Sequence, residues 1–267
     1  MDIELRVSDF KSEINQLVEI IRKMDRKVIV IFLSVAFIQT ISWYYASRNF
    51  FRFNFFPLYQ NDPNVYLYEY LYWFVSDFIT LFLLSILIIK FVLKEEIQEY
   101  GLRIGDYKAG LQFSAIFLVV MIMIIWFISA APDFADKYPH LQSTKNSWKE
   151  FYIYEAGMLL YMISWEFIWR GFMLFGLKEK FGYYSVLIQM IPFVILHNGK
   201  PIPETFGAIA GGIALGILAF RTNSIYYCII THIGVMYSID LISTLRYRAN
   251  DYGFGVESLF NIITKIF

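Results

Sequence analysis

Charged residues and cysteine are both scarce in this chain of 267 residues. Only 17% of the residues are Asp, Glu, Lys or Arg, whereas a soluble domain averages about 25%. The 23 basic and 23 acidic side chains cancel, so no excess of charge favours a nucleic acid as partner. The single cysteine, Cys228, excludes an intrachain disulfide and a metal cluster held by cysteines.

Several catalytic signatures are also missing. No serine stands in a Gly-x-Ser-x-Gly elbow, and no His-Glu-x-x-His zinc motif occurs. No pair of intramembrane aspartates stands in Tyr-Asp and Gly-x-Gly-Asp contexts. These absences disfavour serine, zincin and presenilin-like hydrolases. Residues 1–27 are charged throughout and contain no early apolar run, so we expect no cleavable signal peptide.

Apolar residues dominate the rest of the chain, at 58% with a mean hydropathy of +0.50. A membrane-spanning helix needs roughly 20 mostly apolar residues. Seven stretches meet or approach this requirement: 28–46, 70–93, 111–131, 151–175, 183–197, 205–220 and 225–245. Aromatic residues cluster near their ends, which is typical of membrane interfaces. The sequence therefore predicts an all-α polytopic transmembrane helical bundle with about seven to eight spans.

We expect three parts along the chain. Residues 1–27 form an N-terminal amphipathic helix, and 28–250 form the transmembrane domain, with a catalytic-like core at 151–245. Residues 251–267 form an interfacial or short membrane segment. The apolar stripe of the first part has alternating spacings of four and three: Phe10, Ile14, Leu17, Ile21 and Met24. This stripe favours a helix lying on the membrane surface. A short coiled coil that joins two chains is the alternative.

Basic residues indicate the orientation of the chain. Four of them crowd the first predicted span: Arg22, Lys23, Arg26 and Lys27. Because cytoplasmic loops carry an excess of Lys and Arg, we expect a cytoplasmic N-terminus in a protein integral to the bacterial cytoplasmic (inner) membrane. Segment 131–149 is then an external loop. Membrane lipids are the partners that this location implies.

Four ionisable side chains lie within long apolar stretches. Glu166 and Arg170 are four residues apart in 151–175, and two later stretches contain His197 and His232. A charged Asp, Lys or Arg at the centre of a membrane helix costs about 2.5–3.5 kcal/mol, so such groups usually pair inside the bundle. We expect one polar site, hydrolytic in character. A self-neutralising ion pair and two satisfied core histidines are the structural alternative.

Polar residues near the histidines are further candidates. Phe193 and His197 share one helical face, and Asn-Gly-Lys-Pro then breaks the helix. Glu204 stands at the start of the next helix, where the helix dipole favours a carboxylate, and Lys200 resembles an interfacial lysine. Asp240 lies two turns after His232 and either bonds a polar neighbour or marks the interface.

Glycines recur in the apolar stretch 205–220. Four of them follow a small-xxx-small pattern: Gly207, Gly211, Gly212 and Gly216. Small residues allow helices to approach closely in lipid. We therefore expect this stretch to bring neighbouring helices together around a shared site.

Three ordered segments resemble the motifs of a known family. They are Glu166-Phe-Ile-Trp-Arg170, Phe193-x-x-x-His197 and the later His232. The chain is similar to the CPBP family, the CAAX prenyl-protease and bacteriocin-processing membrane proteins, also called Abi. That family's motifs read Glu-Glu-x-x-x-Arg, Phe-x-x-x-His and His-x-x-x-Asn or Asp. The resemblance extends over 100–240, more than half of the chain.

The resemblance implies a metal-independent intramembrane glutamate protease without a cofactor. In that family the glutamates and the first histidine activate a water, and the second histidine supports the oxyanion. By position, Arg170 would orient Glu166, and His197 would share in water activation. His232 would be the oxyanion donor, and Phe193 would pack the site.

Two departures mark a divergent Trp-Glu-Phe variant. Trp165 stands where the family has its first glutamate, and Met236 stands where it has Asn or Asp. Asp240 could replace the latter only if its helix were irregular. We therefore expect Glu166 and His197 to form the water-activating pair, and we treat Glu204 or Lys200 as supporting members of the site.

Four functions compete at this point. The leading hypothesis is an endopeptidase that cleaves a membrane-associated peptide or protein. An inactive family member acting as an immunity, scaffold or interaction protein is the main alternative, since two motif positions differ. A third hypothesis is a zinc enzyme that uses His197, His232 and Glu166 as a His₂Glu set of ligands. The fourth is a transporter whose proton- or ion-coupled uptake depends on Glu166. The substrate's identity and the oligomeric state stay open.

Overall fold

The structure is a computed structural model, and it describes residues 7–266. Its helices are α1 (Val7–Lys23), α2 (Arg26–Tyr45), α3 (Arg48–Asn54), α4 (Phe56–Tyr59), α5 (Val65–Leu93), α6 (Tyr107–Ile128), α7 (Pro132–Lys137), α8 (Trp148–Phe181), α9 (Tyr184–Ile195), α10 (Ile202–Thr222), α11 (Tyr226–Ala249) and α12 (Val256–Ile266). Short 3₁₀ turns lie at Ile97–Tyr100 and Gln142–Lys145. No strand occurs among the described residues, and the predicted all-α class is confirmed.

Six helical segments are long and apolar enough to cross a membrane: Arg26–Asn54 (α2 with α3), α5, α6, α8, α10 and α11. The chain is an integral membrane protein. The predicted span 183–197 is α9, which has only 12 residues. At 1.5 Å per residue α9 is about 18 Å long, less than the roughly 30 Å of a hydrocarbon core. The predicted count of seven is reached only when this short helix is included.

Helix α8 lies at the centre of the bundle. Of its most apolar window, 78% is buried within the protein, compared with 11–44% in the other five spanning segments. It packs against α2, α5, α9, α10 and α11. From Phe167 to Phe175 its backbone widens into a π-helix. Because α8 contacts so many neighbours, polar side chains on it are enclosed by protein.

The predicted close packing of α10 involves only two of its four glycines. A Cβ on Gly212 would lie 3.0 Å from Met190, and a Cβ on Gly216 would lie 2.8 Å from Val186. Both glycines therefore face α9. A Cβ on Gly207 or Gly211 would meet nothing within 4 Å, so those two face away from the neighbouring helices.

The predicted external loop is folded inward. Segment 131–149 contains α7 and a 3₁₀ turn, and the side chains of Tyr138 and Leu141 are only 0% and 3% exposed. They pack in an apolar cluster with Tyr70 of α5 and other side chains from α8 and α11. The loop is part of the core beside the site.

The terminal parts match the predicted helices within the described residues. The predicted amphipathic helix 1–27 appears as α1, with residues 1–6 outside the described range, and its stripe residues from Phe10 to Met24 are exposed. The C-terminal segment contains α12, whose 11 residues are too few for a full span; residue 267 lies outside the described range. Their contact with a membrane surface stays a prediction.

Replacing Gly216 with alanine should loosen the contact between α9 and α10. The added methyl would overlap Val186 and the side-chain amide of Gln189, each 2.8 Å away, and overpacking of this kind costs about 1–3 kcal/mol. Gly211→Ala is the matched control, because its methyl meets open space and alanine favours a helix by about 1 kcal/mol over glycine. Thermal unfolding of the two variants in detergent provides the comparison, and equal melting temperatures would contradict the assigned faces.

Candidate active site

The centre of the site is a fully buried ion pair on α8. Glu166 and Arg170 are both 0% exposed, and Arg170 Nη1 donates to Glu166 Oε1 over 3.0 Å. Their spacing of four residues puts them on the same side of the helix. Nε and Nη2 of Arg170 have no hydrogen-bond partner within the described chain. Glu166 and Arg170 therefore neutralise each other's charge, but part of the guanidinium group has no hydrogen-bond acceptor among the described residues.

His232 of α11 completes this centre. Its Nδ1 lies 2.6 Å from the same Oε1 of Glu166. Because an ionised carboxylate only accepts hydrogen bonds, Nδ1 carries the proton in this contact. Nε2 of His232 then has a lone pair when the ring is neutral and an N–H when the ring is charged. Oε2 of Glu166 finds no partner among the described residues.

His197 follows α9, and a different acceptor orients it. Its Nδ1 lies 2.7 Å from the carbonyl oxygen of Phe193. A carbonyl only accepts, so Nδ1 donates and Nε2 of the neutral ring has a free lone pair. The sequence paired Glu166 with His197, but the imidazole that contacts Glu166 in the structure is His232.

Phe193 packs among the polar side chains. Its ring lies 4.1 Å from the guanidinium carbon of Arg170, a cation–π contact. The ring centroids of His197, Trp165 and His232 are 4.5, 5.9 and 6.2 Å away. The structure thus brings all five of these side chains to one place in the bundle, together with Glu166.

Exposure differs between the acid and the imidazoles. Glu166 is completely buried, whereas the His232 side chain is 13% exposed and His197 is half-buried. A molecule entering the site can therefore reach the histidines and not the glutamate. Glu166 can act on a reaction only through His232.

Apolar residues occupy the two positions at which the family has further polar groups. Trp165 is 8% exposed, and its ring centroid lies 6.2 Å from that of His197. Met236 is also 8% exposed and packs in an apolar cluster with Tyr154 and Ile239. Neither can supply a carboxylate or an amide to the site.

A cavity of about 350 Å³ is lined in part by Trp165. Its wall also includes Gln39, Arg48, Arg52, Asp77 and Leu196. Since Leu196 directly precedes His197, the cavity adjoins the turn that bears this imidazole. A volume of this size is within the roughly 300–1,000 Å³ range of ligand pockets.

Lys200 and Glu204 belong to a second polar cluster. Glu204 accepts a short hydrogen bond from the Tyr138 hydroxyl, and Lys200 Nζ lies 3.4 Å from Glu204 Oε1. Lys200 Nζ also lies 3.1 Å from His140 Nε2. Burial, with Lys200 and Lys137 nearby, lowers the pKa of His140 to about 3, so its ring is neutral near pH 7. Neither Lys200 nor Glu204 contacts Glu166.

This cluster holds the turn that follows α9. The Thr205 hydroxyl donates to the carbonyl oxygen of His197 over 2.9 Å. Lys137 Nζ lies 3.3 Å from the carbonyl oxygen of Gly199. Lys137, Tyr138 and His140 of the inward loop thus contact Gly199, Glu204 and Lys200, respectively, and we call these three contacts the loop clasp. Lys200 and Glu204 reach the site indirectly, through the position of His197.

Asp240 lies outside the site. Helix α11 is continuous from Tyr226 to Ala249, so eight residues separate Asp240 from His232 by about 12 Å. Compensation for Met236 by Asp240 required an irregular helix, and that condition is not met here. Asp240 instead lies beside Glu155 of α8.

The zinc hypothesis requires Glu166, His197 and His232 to converge on one point. Between residues 7 and 266, no three His, Cys, Asp or Glu side chains are arranged to hold a metal ion. Nδ1 of His232 is bonded to Glu166, and Nδ1 of His197 is bonded to a carbonyl oxygen. The donor geometry gives this hypothesis no support.

Two features of the site were missed by sequence reasoning. The π-helical turn that begins directly after Glu166 has no signal that we recognise in the sequence. Tyr138 and His140 lay in a segment interpreted as an external loop. The aromatic residues of that segment were the available signal, since apolar rings in a short loop favour burial.

Residues 147–237 match the family model described as type II CAAX prenyl endopeptidase Rce1-like. This match supports the CPBP family membership that the sequence motifs suggested. The match covers about a third of the chain. No curated protein and no solved structure matches it.

The matched segment contains every residue of the buried centre. Glu166, Arg170, Phe193, His197 and His232 all lie within 147–237, whereas Asp240 and the clasp residues of the inward loop lie outside it. The family relationship agrees with the membrane-protease interpretation of the sequence. The catalytic roles of the individual residues stay predictions.

Removing the hydroxyl of Tyr138 should loosen the turn that bears His197. Tyr138→Phe deletes the donor to Glu204, so we expect faster hydrogen exchange at the amides of 196–200. Tyr68→Phe is the matched control, because its hydroxyl donates to Asp62 in a different loop. Peptide-resolved exchange mass spectrometry measures both variants. Unchanged exchange at 196–200 in Tyr138→Phe would show that the loop clasp does not hold the turn.

Proposed function

We propose that this CPBP protein is an intramembrane endopeptidase that cleaves a membrane-associated peptide or protein with an activated water. The observation that carries the proposal is the hydrogen bond between Glu166 and His232, 2.6 Å long, in a centre that also contains Arg170 and His197. An acid that orients one imidazole beside a second imidazole is a set of groups suited to acid–base hydrolysis.

His197 is the proposed general base. Its Nδ1–H is held by the carbonyl of Phe193, which leaves the Nε2 lone pair to accept a proton from water. The water oxygen then attacks the carbonyl carbon of the peptide bond, and the proton held by His197 passes to the leaving amine nitrogen as the C–N bond breaks. Positioned bases of this kind contribute about 10²–10⁴-fold to a rate.

His232 is the proposed electrophilic group. Glu166 accepts from its Nδ1–H, and the Nε2–H of the charged ring donates to the developing oxyanion. Arg170 compensates the charge of Glu166 while His232 is neutral. Glu166 is therefore a positioning residue in this scheme, and the division of labour between the histidines differs from a Glu–His pair acting on water.

The cavity lined in part by Trp165 is the proposed place for substrate residues next to the scissile bond. It adjoins His197 through Leu196, and aromatic rings of Trp165 and Tyr161 line it together with Arg48. Such a wall suits a peptide with both apolar and polar groups. The proposed substrate is therefore a peptide or protein held at the membrane, with surrounding lipids as its route of entry.

The cytoplasmic N-terminus and a bacterial cytoplasmic membrane are part of the proposal. Arg22, Lys23 and Arg26 are exposed just before the first spanning helix, which favours a cytoplasmic start. The inward loop and the turn at His197 are then nearest to the external side.

An inactive CPBP member with a scaffold, immunity or interaction role is the second candidate. One observation favours it: the bulky ring of Trp165 lies against His197 where the family pattern has a carboxylate. In that case Glu166 and His232 serve only to join α8 to α11.

Changing His197 to alanine should lower cleavage about 10²–10⁴-fold, because the general base is lost. Glu166→Gln keeps the shape of the side chain but removes its charge, and it should also lower cleavage by about 10²-fold or more. The assay uses purified protein in lipid vesicles with a library of membrane-associated peptides, and mass spectrometry detects the products. Elemental analysis and chelators in the same assay test the zinc alternative.

Glu150→Gln is the matched control, since it makes the same change at the start of α8 and should leave cleavage intact. Cleavage at the wild-type rate by Glu166→Gln would refute the mechanism. The inactive-member hypothesis expects something different: no cleavage by any variant, and a cellular phenotype that Glu166→Gln retains and Gly216→Ala loses.

A further inference from the structure

Two carboxyl groups outside the site face each other across the interface of α8 and α11. The carboxyl group of Glu155 is within hydrogen-bonding reach of that of Asp240. Glu155 precedes Glu166 by eleven residues, about 16 Å along the helix. The pair is therefore separate from the centre at Glu166, and the proposed mechanism does not use it.

No cationic side chain compensates this pair directly. Among the described residues, no Lys, Arg or His nitrogen lies within 4.0 Å of either carboxyl group. Asp240 is 0% exposed, and no N–H or O–H group of the described chain donates to either of its oxygens. Burying acidic groups in this way is costly unless they are paired or bind a metal ion.

Tyr154 is an independent observation at the same place. Its side chain is 0% exposed, and its hydroxyl has no hydrogen-bond partner within the described chain. Tyr154 directly precedes Glu155 on α8, and it packs in one apolar cluster with Ile239, which directly precedes Asp240 on α11. A buried tyrosine hydroxyl normally has a partner, so this one is available to a ligand between the two helices.

Two more hydroxyls lie on the same face of α11. Ser243 and Thr244 follow Asp240 by three and four residues, and residues at these spacings are neighbours on a helix surface. They are 4% and 0% exposed, and neither hydroxyl has a partner in the described chain. With the oxygens of Asp240, Glu155 and Tyr154, these residues of α8 and α11 carry six buried oxygen atoms for which the described chain supplies no hydrogen-bond partner.

We propose that this cluster, the α8–α11 oxygen cluster, is a binding site for a hard divalent cation of the Ca²⁺ class. Ca²⁺ takes six to eight oxygen ligands in flexible geometry, whereas Mg²⁺ requires a near-ideal octahedron. Two carboxylates match the charge of the ion, and carboxylate and hydroxyl oxygens are hard ligands. The ion joins α8, which carries Glu166, to α11, which carries His232.

Calcium binding to the full-length protein tests this site. Purified protein in detergent is stripped with a chelator and dialysed into choline chloride, and Ca²⁺ is added while binding and thermal unfolding are measured. We expect one Ca²⁺ per chain and a saturable rise of about 5–10 °C in the melting temperature at roughly 100-fold excess over the dissociation constant.

Matched variants assign the effect to these residues. Asp240→Asn and Glu155→Gln each remove one charge with little change in volume, and each should weaken Ca²⁺ binding at least tenfold. Asp77→Asn is the control, because Asp77 is a buried carboxyl on α5 that Ser42 and Trp73 already satisfy. It should bind Ca²⁺ like the unchanged protein.

Three results would overturn the proposal. The first is no bound Ca²⁺ and no change in melting temperature. The second is the same Ca²⁺ response in Asp240→Asn as in the unchanged protein. The third is an Asp240→Asn variant that melts at or above the temperature of the Ca²⁺-loaded protein without any added ion, which means that the two carboxyl groups simply share a proton.

Discussion

A carboxylate buried at the middle of an apolar bundle is the constraint on which the rest of the structure depends. Glu166 has no exposed surface, so water cannot stabilise its charge. Arg170 supplies the compensating charge from the next helical turn, and His232 supplies a second donor from α11. Because both donors share one oxygen, α8 and α11 must keep a narrow range of separation, and the position of the imidazole follows from that of the acid.

The other helices position the second imidazole by different means. Helix α9 is short, packs against glycines of α10, and ends just before His197. The turn is then held by Thr205 and by the loop clasp around Tyr138. Phe193 fills the space between the two histidines and lies against Arg170. Helix packing and the hydrogen bonds of the turn therefore determine how far His197 is from the ion pair, and that separation is what allows the two rings different chemical roles.

The sequence predicted the outline of the site well and its internal contacts poorly. The pairing of Glu166 with Arg170 was predictable, because an ionisable side chain in an apolar stretch needs a partner and these two are four residues apart. The choice of His232 over His197 as the neighbour of Glu166 was not, since helical spacing relates residues of one helix and says nothing about rotation between helices. Glu155 was missed although it lies in the same apolar stretch as Glu166. The signal was a carboxyl group within a predicted span. Asp240, for which a polar neighbour was one of two expectations, lies beside it in the structure.

The sequence by itself determined the helical class, the membrane location and the identity of the polar side chains that had to be buried. These follow from local quantities: the length of each apolar run, the period of the helix and the cost of charge in lipid. Tertiary structure decided that Gly212 and Gly216 face a neighbour while Gly207 and Gly211 do not, that the segment before α8 folds inward, and that one imidazole contacts the acid. Each of these depends on how whole helices rotate and tilt against one another, which is settled by side-chain packing summed over the entire bundle.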